Sequence, residues 1–285
     1  MKLIGILPVR NEDWILGLTL RAHLMWMDEV VVLDHASTDG TREIINDVAR
    51  ENTGRVNLLA EDDPVWREMA HRQRLLEEAR GFGATHIAIL DADEILCGDI
   101  LEYTREWIGR LPPRMCVTGP MRMMHRSIWD FRRDPSSIWS RATTSIAFAD
   151  HLELRWRENN GYDHHHREPY GIGAGGTVNV PAVMHLQFAH WRRLTAKHAL
   201  YKITERIRWP EKPVHEIDRL YSLALDETGL QTQRAPTEWW APYKHLLGYL
   251  RIDQDEEQWQ EREARRLVDE YGRAMFRGLN LFGVV

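Results

Sequence analysis

The chain has 285 residues, with 37 Lys and Arg against 43 Asp and Glu for a formal charge of −6. That length can bury a substantial core in one domain, or in one domain with a helical appendage, while an acidic balance with no basic stripe excludes nucleic acid as the main partner. The two cysteines, Cys97 and Cys116, offer neither paired spacing for zinc nor a disulfide framework, which suits a reducing cytoplasm, and no apolar run approaches the roughly 20 residues of a membrane span.

Leu3 to Val9 is the first apolar run, ending in Pro8-Val9-Arg10-Asn11-Glu12. The charges at Arg10, Glu12 and Asp13 make it too short for a signal peptide. Glu29 to Leu33 is a second run and ends in Asp34-His35-Ala36-Ser37-Thr38-Asp39-Gly40-Thr41; His86 to Leu90 is a third and ends in Asp91-Ala92-Asp93-Glu94. Between them Trp14 to Met27, Thr41 to Glu51 and Val65 to Phe82 have helical spacing, so the alternation predicts an α/β fold with a parallel sheet. Ligands of such sheets bind beyond the carboxyl ends of the strands, where all three polar clusters fall. Ser37, Thr38 or Asp39 can cap the helix that begins near Thr41, with Gly40 relaxing the turn.

Asp91 and Asp93, one residue apart at a strand end, repel each other unless a cation offsets the repulsion. Oxygen ligands favour Mg²⁺ or Mn²⁺, the ions that accompany a diphosphate.

Taken together, Arg10-Asn11-Glu12, the Asp34 to Thr41 turn and Asp91-Ala92-Asp93-Glu94 resemble the family 2 glycosyltransferases of the GT-A fold, in the branch with a D-A-D-E block. The resemblance is specific over residues 1 to 100 and loose beyond. It implies a Rossmann-like, mostly parallel sheet flanked by helices, and it makes Arg74 the counterpart of an arginine on the helix leading into the D-x-D strand. One departure stands out: many relatives have two adjacent aspartates where this chain has Asp34-His35, and the second often contacts the nucleobase.

Leu111-Pro112-Pro113 marks a break before a strand-rich middle made of Met115 to Arg122, Ile138 to Phe148 and Val178 to Phe188. Glu158 to Gly176 reads as a long polar loop, of the kind that is functional or mobile. From Leu194 the chain turns helical, over Lys197 to Trp209, Val214 to Thr228, Glu238 to Leu250 and Asp253 to Phe276. The expected organisation is a glycosyltransferase domain over 1–193, divided into a nucleotide half (1–110) and an acceptor half (111–193), then a helical extension over 194–285 that serves packing or homo-oligomer formation.

His185 lies in an apolar strand, and histidines there are most often core residues. In GT-A enzymes a histidine ending a late strand completes the metal site, which the resemblance carries to His185, with His190 as runner-up. The consecutive His164-His165-His166 cannot easily point at one ion and reads as a solvated or acceptor-contacting loop. Tryptophans beside charge, such as Trp139, Trp156 and Trp191, suit sugar stacking, although core packing accounts for most of the twelve.

The resemblance implies a metal-dependent hexosyl transfer from a UDP- or GDP-sugar, UDP first, to a glycan, lipid-linked or small-molecule acceptor, with inversion. A lipid-linked acceptor would be met by a cytoplasmic protein peripherally, at the inner membrane surface. Asp91, Asp93 and His185 hold Mn²⁺ or Mg²⁺; Pro8, Arg10, Asn11, Glu12, Asp34, Arg74, Asp91 and Ala92 form the nucleotide site; and Asp163, Glu168 or Asp150 serves as general base. Two other readings are a sugar-phosphate nucleotidyltransferase, weakened by the lack of a Gly-rich loop after the first strand, and a non-catalytic sugar-nucleotide-binding scaffold. A haloacid-dehalogenase-type phosphatase is disfavoured because Ile95 stands where its threonine belongs.

Overall fold

Each apolar run of the first ninety residues becomes a strand, and each amphipathic stretch between them a helix. The computed structural model describes residues 1–157 and 167–285. In chain order the elements are β1 (Leu3–Val9), α1 (Leu16–His23), β2 (Glu29–His35), α2 (Thr41–Glu51), β3 (Val56–Glu61), α3 (Glu68–Gly81), β4 (His86–Ala88), β5 (Glu94–Leu96), α4 (Leu101–Gly109), β6 (Met115–Met123), β7 (Asp130–Arg132), β8 (Thr143–Ala149), β9 (Gly173–Thr177), β10 (Val183–His185), α5 (Trp191–Arg208), α6 (Val214–Ser222), β11 (Thr232–Arg234), α7 (Thr237–Trp240) and α8 (Trp259–Tyr271). The α/β architecture expected from the sequence is present. β3 was not foreseen, and of the stretch read as a polar loop from Glu158 to Gly176 the last residues form strand β9.

The main sheet runs in the order β3-β2-β1-β4-β8-β6-β10-β5, with β9 beside β6. β3, β2, β1 and β4 are mutually parallel, and β8 runs antiparallel to β4. After β1 the chain first builds outward to β2 and β3, then crosses back to lay β4 on the other side of β1. That reversal leaves a crevice at the carboxyl ends of β1 and β4, the place where open α/β sheets take ligands.

The central strands are apolar on both faces because both are covered. On one face Ile4, Ile6, Val31, Leu33, Ile87 and Ile89 pack against Met69, Leu75, Leu76 and Ala79 of α3 and against Phe148. On the other face the backbone of β1 comes so close to Met27 that a Cβ on Gly5 would lie 2.4 Å from the Met27 sulfur.

By Cα proximity the chain divides into two units, one of residues 1–122, 141–185 and 235–251, the other of 123–140, 186–234 and 252–285. These boundaries differ from an N-terminal domain followed by a helical extension. The segment 235–251 packs in the first unit: a Cβ on Gly98 would lie 2.6 Å from Glu238 O, the Arg21 guanidinium stacks 3.8 Å from the Tyr249 ring, and Arg251 N–H donates to Trp14 O at 2.7 Å. Its α-helix stops at Trp240 and continues as a 3₁₀ helix over Ala241–Tyr249, because Pro242 has no N–H to offer Glu238 O.

In the second unit α5 and α8 share a core of Leu200, Ile203, Ala264, Leu267, Val268 and Phe276. α8 starts at Trp259, later than its sequence pattern suggests, where Gln258 and Glu261 close a capping box. Among the described residues no helix is long and apolar enough to cross a membrane.

Ile6 is 1% exposed and Leu152 is 86% exposed. Ile6→Ala should therefore lower the unfolding free energy by about 2–5 kcal/mol, whereas Leu152→Ala should change it by less than about 0.5 kcal/mol. Urea unfolding of the two variants beside the wild type checks the contrast.

Candidate active site at the carboxyl ends of the parallel strands

The loops after β1 and β2 are laced together by the polar residues of their own motifs. Asn11, at φ 54°, adopts the left-handed conformation that asparagine tolerates well. From there its N–H donates to Ser37 Oγ (2.9 Å) and its Oδ1 accepts from Thr38 N–H (2.7 Å). Glu12 N–H donates to Thr41 Oγ1 (2.7 Å), and Glu12 Oε2 accepts from the Trp14 indole (2.7 Å). Asp39, one residue before Gly40, the N-cap of α2, accepts from Thr41 N–H through Oδ1 at 2.9 Å. Pro8 lies in β1 opposite Leu33. Asn11 and Glu12, expected at a nucleotide site, thus shape the loops that frame it.

Asp34 is fully buried at the end of β2. Its Oδ2 accepts from Arg42 Nε at 2.6 Å, and its Oδ1 is buried with no hydrogen-bond partner among the described residues. A buried carboxylate oxygen left open in this way is costly unless a ligand donor completes it.

His35 Nε2 lies 2.8 Å from Asp63 O, and a carbonyl can only accept, so that nitrogen carries the proton. Nδ1 is then an acceptor, 3.5 Å from Arg10 Nη1, which also donates to Pro64 O at 2.9 Å. The His35 ring packs against Trp66 (centroids 5.1 Å) and His71 (4.7 Å). Burial and then the neighbouring Arg10 charge lower the His35 pKa, and burial with His35 nearby pushes His71 down to about 4. The three rings form one aromatic cluster, on the face of β2 opposite the Asp34 carboxylate.

Beyond β4 the chain turns through Asp91-Ala92-Asp93 into β5, which pairs antiparallel with β10 and sets His185 opposite Glu94. α1 holds the turn from below: Thr19 Oγ1 donates to Ala92 O at 2.7 Å and His23 Nε2 to Glu94 O at 2.9 Å. Within the turn Asp91 N–H donates to Glu94 Oε2 at 3.1 Å. Asp93 Oδ1 lies 3.4 Å from His185 Nε2.

Asp91 faces two guanidinium groups. Arg72 Nη2 reaches its Oδ1 at 3.2 Å, and Arg167 Nη2 reaches its Oδ2 at 2.6 Å while also meeting Glu94 Oε1 at 2.7 Å. Arg167 Nη1 donates to Thr144 Oγ1, and Arg72 Nε to Glu68 Oε1 at 2.8 Å. Burial alone would raise the Asp91 pKa, but Arg167 and Arg72 outweigh it and hold the carboxyl well below the usual range.

The expected residues are therefore only partly brought together. Asp93 and His185 meet at the turn, while the Asp91 carboxylate faces Arg72 and Arg167. Arg74 does not: it pairs with Glu61 at 3.2 Å, and Arg72 reaches Asp91 in its place. Two residues on a helix lie about 200° apart, and position 72 falls on the buried stripe of Met69, Leu75, Leu76 and Ala79, so the apolar pattern of α3 held the signal. Asp150 is placed at the wrong end for a general base, since its N–H bonds Thr85 O just before β4 and its carboxylate is clamped by Arg80 at 2.8 Å through both oxygens. Glu168 Oε1 accepts from Ser145 Oγ on β8. His190 accepts from Arg193 N–H at the start of α5. Asp163 and the cluster His164 to His166 lie outside the described residues.

Residues 6–164 match the sequence model described as glycosyl transferase family 2. The chain belongs to glycosyl transferase family 2. Among solved structures it is similar to Staphylococcus aureus TarS 1–349 in complex with UDP, at 22% identity over 43% of this chain and 36% of that one, with a TM-score of 0.34. It thus spans little more than a third of that chain. A mannosyltransferase from Pyrobaculum calidifontis in complex with GDP-Man and Mn²⁺ is 13% identical over 96% of this chain and 75% of that one, TM-score 0.38. Glucosyl-3-phosphoglycerate synthase from Mycobacterium tuberculosis, in complex with Mn²⁺ and UDP-glucose, is 17% identical over 42% and 43%, TM-score 0.27. No curated protein matches the chain.

Burial also depresses His23, beneath the acidic turn, and His190, each to about 4 from an ordinary 6.5. With His71 these groups bind protons in the unfolded chain before they do so in the folded one, so their contribution is complete above pH 6.5 and is lost as pH falls toward 4. Asp13 works in the opposite sense, its pKa pushed up to about 6 by burial and by Asp39, but three histidines outweigh one carboxyl. The unfolding free energy should fall as pH drops from about 6.5 to about 4.5. His23→Gln, which keeps a donor for Glu94 O, should lose less over that range than the wild type; equal losses in denaturant titrations at the two pH values would assign the dependence elsewhere.

Proposed function

We propose that this family 2 glycosyltransferase moves a sugar from a nucleoside-diphosphate donor, a UDP-sugar first and a GDP-sugar second, to a hydroxyl of a glycan, lipid-linked or small-molecule acceptor, with inversion. The observation that carries the reading is the Asp91-Asp93 turn at the switch point of the sheet, with His185 on one side and two guanidinium groups on the other. Asp34 Oδ1, open and buried, accepts from the base or its ribose. Arg72 and Arg167, planar five-donor groups, recognise the diphosphate oxygens.

Among the described residues no three His, Cys, Asp or Glu side chains already form a metal cluster. Asp93 and His185 nevertheless fit a divalent cation, a carboxylate oxygen and an imidazole nitrogen standing 3.4 Å apart, and Asp91 adds a third donor when a carboxylate oxygen is released from arginine. A cation held there supplies the positive charge that offsets the charge developing on the leaving diphosphate. The remaining steps fall to the protein: the strand-end loops orient the donor, and a carboxylate, Glu168 or Asp163, takes the acceptor proton on the face opposite the leaving group.

UDP with Mn²⁺ should raise the melting temperature, since a ligand at about 100 times its dissociation constant adds about 2.7 kcal/mol to a folded state that alone binds it. Asp93→Asn should leave the fold intact, remove the Mn²⁺-dependent part of that shift and cost most of the turnover, and His185→Ala should do so more mildly. No shift with any nucleoside diphosphate would remove the donor-site reading.

The base has its own test. Glu168→Gln should lower kcat by roughly 10²–10⁴ with donor binding unchanged if Glu168 takes the proton. A normal rate in Glu168→Gln together with a loss in Asp163→Asn would move the role to Asp163, and product that keeps the donor's anomeric configuration would exclude an inverting base altogether.

A further inference from the structure

Each carboxylate oxygen of Asp91 accepts an arginine hydrogen bond, Oδ1 from Arg72 and Oδ2 from Arg167, and the Arg167 nitrogen on Oδ2 also bonds Glu94 Oε1. A cation approaching the remaining lone pairs of that carboxylate meets a guanidinium nitrogen 2.6 Å from Oδ2, and like charge keeps the two apart. We propose that Arg167 is an internal counter-ion that competes with the divalent cation for Asp91, so that the donor's diphosphate, by giving Arg167 another anion to bond, makes cation binding favourable. This rests on the donor-site reading above.

Two features support an exchange over a fixed structural pair. Arg72 Nη1 is buried with no hydrogen-bond partner among the described residues, although Arg72 is only 5% exposed. It is a donor placed for an incoming anion before any existing bond is broken. Among the described residues the other terminal nitrogen of Arg167 bonds Thr144 Oγ1, a neutral acceptor that a phosphate oxygen outbids, because charge-assisted hydrogen bonds are about twice as strong as neutral ones.

The test is direct Mn²⁺ titration without nucleotide, read by the electron paramagnetic resonance signal of free Mn²⁺. Arg167→Gln should bind Mn²⁺ about tenfold more tightly than the wild type, the scale of one charge-assisted hydrogen bond removed from the competition. Thr144→Val, which frees Arg167 without touching the acidic turn, should tighten it in the same direction by about threefold, and this variant decides the matter if Arg167→Gln does not fold. Unchanged or weaker Mn²⁺ binding in these variants overturns the proposal. If Asp93→Asn still weakens Mn²⁺ in that case, the donor-site reading survives and only the role of Arg167 is lost; if Asp93→Asn leaves Mn²⁺ binding untouched in every background, both fall.

Discussion

The constraint on which this site depends is the repulsion among carboxylates crowded into four residues. Two like charges about 4 Å apart repel by about 4 kcal/mol at an effective dielectric near 20, and Asp91, Asp93 and Glu94 are all partly or fully withdrawn from water. The chain offsets this in two ways. Arg72 and Arg167 bind Asp91 and Glu94, while Asp93 is turned toward an imidazole. One acidic turn thus presents an arginine-facing side, suited to anions, and a histidine-facing side, suited to a cation. A diphosphate and its metal require that pair of surfaces side by side.

The turn can be held this way because its backbone is fixed independently of its charges. Thr19 and His23, one helical turn apart on α1, bond the carbonyls of Ala92 and Glu94, and β5 is paired along its length with β10. Substitution of a carboxylate in the turn therefore changes the chemistry of the site before it changes the fold. The Asn11 joint does the same for the loops after β1 and β2, locking them to each other through side chain to backbone bonds.

Much of this was legible in the sequence where the information is local. β1, β2 and α2 begin and end within a residue or two of their apolar patterns, and the three strand-end clusters fall together because parallel strands share a carboxyl edge. What was missed depends on direction and distance. Asp150 looks like another strand-end acid, but β8 runs antiparallel to β4, so the end of β8 lies at the opposite edge of the sheet. β3, with Asn57 and Glu61 among its aliphatics and most of its residues only half-buried, lacks the continuous run that marks the inner strands. Arg167 meets Asp91 across 76 positions of sequence, and no spacing rule connects them.

The substitution of histidine for the second aspartate of the β2 motif can be followed in the same terms. A carboxylate at position 35 would offer acceptors to a base and would repel a neighbouring aspartate. His35 instead uses Nε2 on Asp63 O and Nδ1 toward Arg10, so its polar atoms fasten the 61–66 segment to the sheet edge and leave its ring face against Trp66 and His71. Burial keeps it neutral. Its neighbour Asp34 accepts from Arg42 and has one oxygen without a hydrogen-bond partner among the described residues. Successive strand residues face opposite sides of the sheet, so the carboxylate beside Arg42 and the imidazole beside Trp66 and His71 address different sides of the β2 end.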